Sequence, residues 1–211
     1  MPSSPKPTVI DIMNAGPVIP VLGFESADEA VDVCKILYGA GIKVLEITLR
    51  HPTALKAIAA VKAALPADAL VGAGTVLTPE LAHAAKEAGA VFGVSPGLTE
   101  ELAHAVKAMD WPFLPGIATL SEAMTARELG FTELKFFPAS ISGGPDFIKA
   151  VGTVLPDLTF CPTGGVSAAT AGEYRALDNV QTVGGSWITK RGKDGKINLD
   201  MVSERAKAVF A

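Results

Sequence analysis

Two periods of apolar spacing alternate along the chain. Short, densely apolar or alternating runs fall at Val18–Leu22, Val44–Thr48, Leu70–Ala73, Val91–Ser95, Phe113–Pro115, Glu133–Phe137, Thr159–Thr163 and Thr182–Gly184. Runs of this length and pattern predict β-strands. Between them the apolar residues recur every three to four positions, which predicts helices over Ser26–Tyr38, Thr53–Ala64, Pro79–Ala88, Glu100–Met109, Ser121–Leu129, Phe147–Val154, Ala168–Ala176 and Leu199–Phe210. Val9–Ala15 adds a short leading helix. The punctuation agrees: glycine follows the helical pattern at Gly39, Gly89 and Gly130, and Ser26 with Glu29, Thr78-Pro79 and Ser121-Glu122 read as helix starts. Strand and helix repeat as eight units of about 20–25 residues, which predicts an α/β fold of the (β/α)8 barrel type. A doubly wound open sheet is the competing architecture, but no G-x-G-x-x-G follows the first strand. With no long linker or low-complexity tract, residues 1–211 are expected to form one barrel domain with a short N-terminal helix.

Composition narrows the function classes. Of the residues, 49% are apolar and 19% charged, and the net charge is -4. Such a chain buries a sizeable core and has no field that would attract nucleic acid or an anionic membrane. No apolar run approaches the roughly 20 residues of a membrane helix. The N-terminus lacks the apolar stretch of a secretory signal, so a cytoplasmic protein is expected. Cys34 and Cys161 match no metal-ligand or redox spacing and read as core thiols.

In a barrel the reactive residues lie at the C-terminal ends of the strands, and two charges interrupt otherwise aliphatic strands there. In the second predicted strand, alternation puts Val44, Glu46 and Thr48 on one face and Leu45, Ile47 and Leu49 on the other. If the aliphatic face meets the helices, Glu46 points into the barrel. In the sixth, Leu134 and Phe136 face the helices and Lys135 points inward. Alternate strands share an interior layer, so amine and carboxylate can meet across it. One reading is a buried salt bridge without chemistry. The other is catalytic: desolvation favours a neutral amine, which attacks a ketone to form a Schiff base, while a neighbouring carboxylate moves the protons.

Glycine doublets supply a second constellation. Gly164-Gly165 ends the seventh predicted strand and Gly184-Gly185-Ser186 the eighth. Loops at these two places recur as phosphate sites in this fold, although a lone doublet is also a common turn. Arg50, just past the second strand, reads as a carboxylate fork or a surface arginine; Thr75, past the third, as a hydroxyl donor or a cap. His83 and His104 fall in helical patterns and read as solvated, while His51 stands beside Arg50. No His, Asp or Glu spacing suggests a metal.

Five stretches carry a family resemblance: Leu45-Glu46-Ile47-Thr48-Leu49-Arg50, Gly72-Ala73-Gly74-Thr75-Val76-Leu77, Ser95-Pro96-Gly97, Leu134-Lys135-Phe136-Phe137-Pro138-Ala139 and Cys161-Pro162-Thr163-Gly164-Gly165. In this order and spacing the chain resembles the 2-keto-3-deoxy-6-phosphogluconate (KDPG) aldolase family, also grouped with 4-hydroxy-2-oxoglutarate (KHG) aldolase, from Gly16 to Trp187. The resemblance implies a cofactor-free class I aldolase, a homotrimer of (β/α)8 barrels. It would cleave KDPG to pyruvate and glyceraldehyde 3-phosphate in the Entner–Doudoroff route, or 4-hydroxy-2-oxoglutarate to pyruvate and glyoxylate. Its partners would thus be a small 2-keto acid and a phosphorylated aldehyde. It implies Lys135 as the Schiff-base lysine, Glu46 as the proton-transfer group, Arg50 and Thr75 as pyruvate-carboxylate contacts and Phe137 as an aromatic wall. Phosphate contacts fall on Gly164, Gly165, Gly185 and Ser186. Two places depart from the family pattern: His51 stands where relatives carry threonine, and Thr189–Lys193 is unusually basic, reading as an exposed turn that supplements phosphate attraction. Rival readings on the same barrel are a phosphosugar isomerase or epimerase with Glu46 as base, and a non-catalytic phosphosugar-binding module.

Overall fold

The computed structural model describes residues 6–210. Its strands are β1 Val18–Leu22, β2 Val44–Thr48, β3 Leu70–Gly74, β4 Gly93–Val94, β5 Phe113–Leu114, β6 Gly116–Ile117, β7 Glu133–Phe136, β8 Thr159–Pro162 and β9 Val183–Gly185. The helices are α1 Val9–Asn14, α2 Ala27–Gly39, α3 Ala54–Ala64, α4 Pro79–Glu87, α5 Glu100–Ala108, α6 Leu120–Glu128, α7 Gly144–Val154, α8 Ala171–Arg175 and α9 Leu199–Ala208, with a 3-10 turn at Ala139–Ile141. Strand and helix alternate as the spacing predicts, and every strand pairing is parallel.

The sheet is a curled parallel layer in two ladders, β5-β4-β3-β2-β1-β9 and β6-β7-β8. The predicted fifth strand is split, because Pro115 has no N–H to donate to a ladder. Residues on one side of it pair with β4, and those on the other pair with β7. On the far side of the short ladder, single parallel bridges join Phe160 to Val180 and Thr163 to Gly184.

Two apolar clusters explain why the alternation is strict. Leu45, Ile47, Leu134, Phe136 and Phe160 pack with the helices, among them Val33, Leu37, Ile58 and Val61. On the concave face Ile19, Val44, Val94, Leu114 and Cys161 form a separate cluster that includes Ile12 and Met13 of α1. Val44 opens β2, and the half-buried Leu70 that opens β3 packs on the same cluster. The short first helix therefore plugs the N-terminal ends of the strands. Thr8 sets its start with a reciprocal capping box to Asp11.

Local chemistry departs from the sequence reading in a few places. Ser26 caps α2 as expected, but α6 is capped by Thr119, not Ser121. Thr119 has extended backbone, and Glu122 folds back onto the N–H groups of Ala118 and Thr119. Of the described residues, no helix is long and apolar enough to cross a membrane.

Candidate active site

Lys135 and Glu46 meet on the concave face. The ammonium nitrogen of Lys135 lies 3.4 Å from Glu46 Oε1, and the two side chains are 6% and 3% exposed. Every other lysine among the described residues is exposed or half-exposed, so this is the one amine taken out of water. A tight ammonium–carboxylate contact measures about 2.7–2.9 Å, so the pair is close enough to pass a proton but not locked. Their strand positions follow from register: Lys135 stands between Gly116 and Cys161 on its neighbours, and Glu46 between Val21 and Gly72. A side chain at Gly74 would overlap the Glu46 carboxylate, so that glycine makes the room the acid occupies.

Cys161 shares this interior. Burial, reinforced by the Glu46 charge, pushes its thiol up to about 12, and it remains a neutral packing group. Burial likewise lifts the Cys34 thiol far above its ordinary range. Both cysteines are buried and free, as read from the sequence.

A pocket of about 210 Å³ is lined by Val21, Arg50, Phe137, Thr163, Gly164, Gly165, Val166, Gly184, Gly185 and Ser186, and neither Lys135 nor Glu46 is part of that lining. The Lys135 amine is 5.3 Å from the centre of the Phe137 ring, which forms part of that lining. The structure thus gathers Arg50, Phe137, Gly164, Gly165, Gly185 and Ser186 around one cavity, which the Phe137 ring connects to the Lys135–Glu46 pair. Larger clefts exist, one of about 610 Å³ near Lys149 and Asn179, but none of its lining residues is one that the sequence singled out.

The glycine loop is built to present donors. Gly164 and Gly165 both have left-handed backbone, φ 91° and 76°, where a side chain is strained. Their loop is tied to the 3-10 turn by Ala139 N–H donating to Thr163 O and Ser140 N–H to Gly164 O. Among the described residues the N–H groups of Gly164, Gly165, Val166 and Ser186 find no acceptor within the chain. Unpaired N–H groups lining a pocket suit an anion.

Arg50 is exposed at the rim, its Nε donating to Thr48 Oγ1 at 3.2 Å, while Thr48 donates to Leu22 O at 2.8 Å. Thr75 directly follows β3 with a positive φ of 58°, a conformation that costs a non-glycine residue about 1–3 kcal/mol and collects at functional positions. It does not line the pocket. His51 is exposed and hydrogen-bonded to Thr53. Thr163 and Val21 line the pocket without having been singled out from the sequence. Their signal was present, because Thr163 alternates with Cys161 and Val21 with Ile19. The basic stretch also departs from expectation: Thr189 is buried and Arg191 is half-buried against Glu29.

The family model described as KDPG and KHG aldolase matches residues 9–204. A 2-dehydro-3-deoxy-phosphogluconate aldolase of Pseudoalteromonas atlantica is 42% identical over 201 residues, spanning 95% of this chain and 93% of that protein. A KHG/KDPG aldolase of Escherichia coli is 43% identical over 183 residues, 87% and 85% of the two chains. Among solved structures, KDPG aldolase from Legionella pneumophila, with pyruvate captured at low pH as a covalent carbinolamine intermediate, superposes with a TM-score of 0.93. It is 41% identical and covers 97% of this chain and 98% of its own.

Proposed function

The chain belongs to the KDPG and KHG aldolase family, and from that premise we propose how its own residues carry the reaction. It is an aldolase, a carbon–carbon lyase that acts through a Schiff base. The observation that carries the mechanism is the buried Lys135–Glu46 pair, whose amine lies 5.3 Å from the Phe137 ring in the wall of a pocket lined with free N–H groups.

The substrate is KDPG, held with its carboxylate at Arg50 and at Thr75, which lies off the pocket lining but follows Gly74 against the Glu46 carboxylate, and with its phosphate on Gly164, Gly165, Gly185 and Ser186. Neutral Lys135 adds to the C2 ketone. Glu46, which has taken the ammonium proton of Lys135, delivers it to the carbinolamine oxygen, which leaves as water, and an iminium forms. The ionised Glu46 then takes the C4 hydroxyl proton as the C3–C4 bond breaks. Its electron pair moves into the iminium to give an enamine, and glyceraldehyde 3-phosphate departs. Protonation at C3 and hydrolysis return pyruvate and free Lys135. Phe137 shields the imine from bulk water, which strengthens the charge effects of the acid beside it. A homologue carrying pyruvate as a covalent carbinolamine supports this order of steps. The same site accommodates 4-hydroxy-2-oxoglutarate, which lacks the phosphate.

The proposal extends to architecture. The two ladders, linked through residues 113–117 and through the Thr163–Gly184 bridge, form a closed (β/α)8 barrel and a single domain over the described residues. Membership of the family supports a homotrimer, and the metabolic substrate supports a cytoplasmic enzyme.

Incubation with pyruvate and borohydride should label Lys135 irreversibly, and a coupled assay should release pyruvate from KDPG faster than from its galactonate epimer or 4-hydroxy-2-oxoglutarate. A protein that stays unlabelled and yields no pyruvate from any of the three would overturn the scheme.

A further inference from the structure

Residues 186–198 connect β9 to α9 without regular structure of their own. Ser186, at the start of this connection, lines the pocket, so whatever fixes the connection fixes that rim. Arg191 does this by a bidentate pair. Its Nη1 lies 2.8 Å from Glu29 Oε1 and its Nη2 2.7 Å from Glu29 Oε2. The same guanidinium donates to Gly195 O at 2.9 Å and Gly23 O at 3.3 Å, with the Glu25 carboxylate 3.9 Å away. Arg191 and Glu29 are only 27% and 24% exposed. A planar fork so engaged is far more directional than a surface ion pair.

What the fork joins matters. Glu29 lies in the first turn of α2, and Gly23 directly follows β1, whose Val21 lines the pocket. On its other side the connection is held by Arg205 of α9, which donates to Trp187 O at 3.2 Å. The carboxylate end of the site has separate support, since Thr48 binds Leu22 O and Arg50 binds Thr48. The basic stretch is therefore not a free reservoir of positive charge at its centre, whereas Lys190 and Lys193 remain exposed.

We propose that Arg191 and Glu29 are positioning residues for phosphate recognition: their fork locks the β9–α9 connection onto the start of α2 and so holds Gly185 and Ser186 against the substrate's phosphate. This rests on the aldolase reading above. Losing the fork loosens the phosphate end and leaves Schiff-base formation intact.

The test compares wild type, Arg191→Met, Glu29→Gln and the double variant in KDPG cleavage and in borohydride trapping of pyruvate, which has no phosphate. KM for KDPG rises about tenfold in each single variant, roughly one hydrogen bond to a charged group. The double variant is no worse than the singles, as for residues acting as one pair. Pyruvate trapping stays unchanged, and Arg191→Lys, which keeps the charge without the fork, recovers part of the loss. An unchanged KM, additive losses in the double variant, or a parallel fall in pyruvate trapping overturns the proposal. If wild type neither traps pyruvate nor cleaves KDPG, the aldolase reading fails first and the proposal falls with it.

Discussion

Lys135 and Glu46 occupy interior positions that aliphatic side chains would fill at a lower desolvation cost. If the pair serves chemistry, removing both charges should not harm the fold. Urea denaturation of the Glu46→Leu/Lys135→Met double variant should show stability equal to wild type or higher by about 1–4 kcal/mol, while Glu46→Leu alone loses about 3–5 kcal/mol. A double variant as unstable as the single would make the pair structural. For the reaction, Glu46→Gln should lower kcat by about 10²–10⁴, the usual worth of a positioned proton-transfer group, with KM for KDPG little changed. Gly74→Ala should lower kcat as well, since its new methyl group meets the Glu46 carboxylate. An alanine variant with wild-type turnover would show that the acid tolerates displacement. Both charges were legible in the sequence because each breaks an aliphatic alternation. Thr163 shares the alternation of Cys161 but did not stand out, because a threonine in a strand is common.

At the scale of elements, α1 is a plug: its Ile12 and Met13 are buried among concave-face residues, and its six residues are too few to persist alone. Met13→Ala should cost about 2–5 kcal/mol in a denaturant titration, and Thr8→Ala about 1 kcal/mol through its cap. The Arg191–Glu29 link ties two connections and has a pH signature. Burial alone pushes the Glu29 carboxyl up, but the Arg191 fork, the Glu25 N–H and the Arg191 charge outweigh it and hold it below the usual glutamate range. The unfolded chain therefore binds the proton more readily, and the link's stabilisation is present above the ordinary glutamate value of about 4.3. It is lost as pH falls through the depressed native value. Thermal melts of wild type and Arg191→Met should differ at neutral pH and converge in acid, and a gap that persists there would refute the linkage. Element types were legible from period alone, whereas the break at Pro115 and the Thr119 cap depended on partners the local pattern does not name.

For the whole molecule, a homotrimer implies a sedimentation mass about three times the 21.7 kDa of one chain, and a monomer at micromolar concentration would remove that part of the proposal. The sequence by itself determined which residues turn toward the helices and which turn away, because period-2 alternation fixes the face of each side chain once one face is aliphatic. It also determined the chemical inventory: an amine on the sixth predicted strand and an acid on the second, each breaking an aliphatic pattern, and glycine doublets at two strand ends. Only the tertiary structure decided that the amine and acid lie 3.4 Å apart, that Thr75 lies off the pocket lining, and that Arg191 is engaged by Glu29, 162 positions earlier in the chain. Distances between residues far apart in sequence depend on how strands register and curl. That geometry belongs to the packed sheet and not to any single segment of the chain.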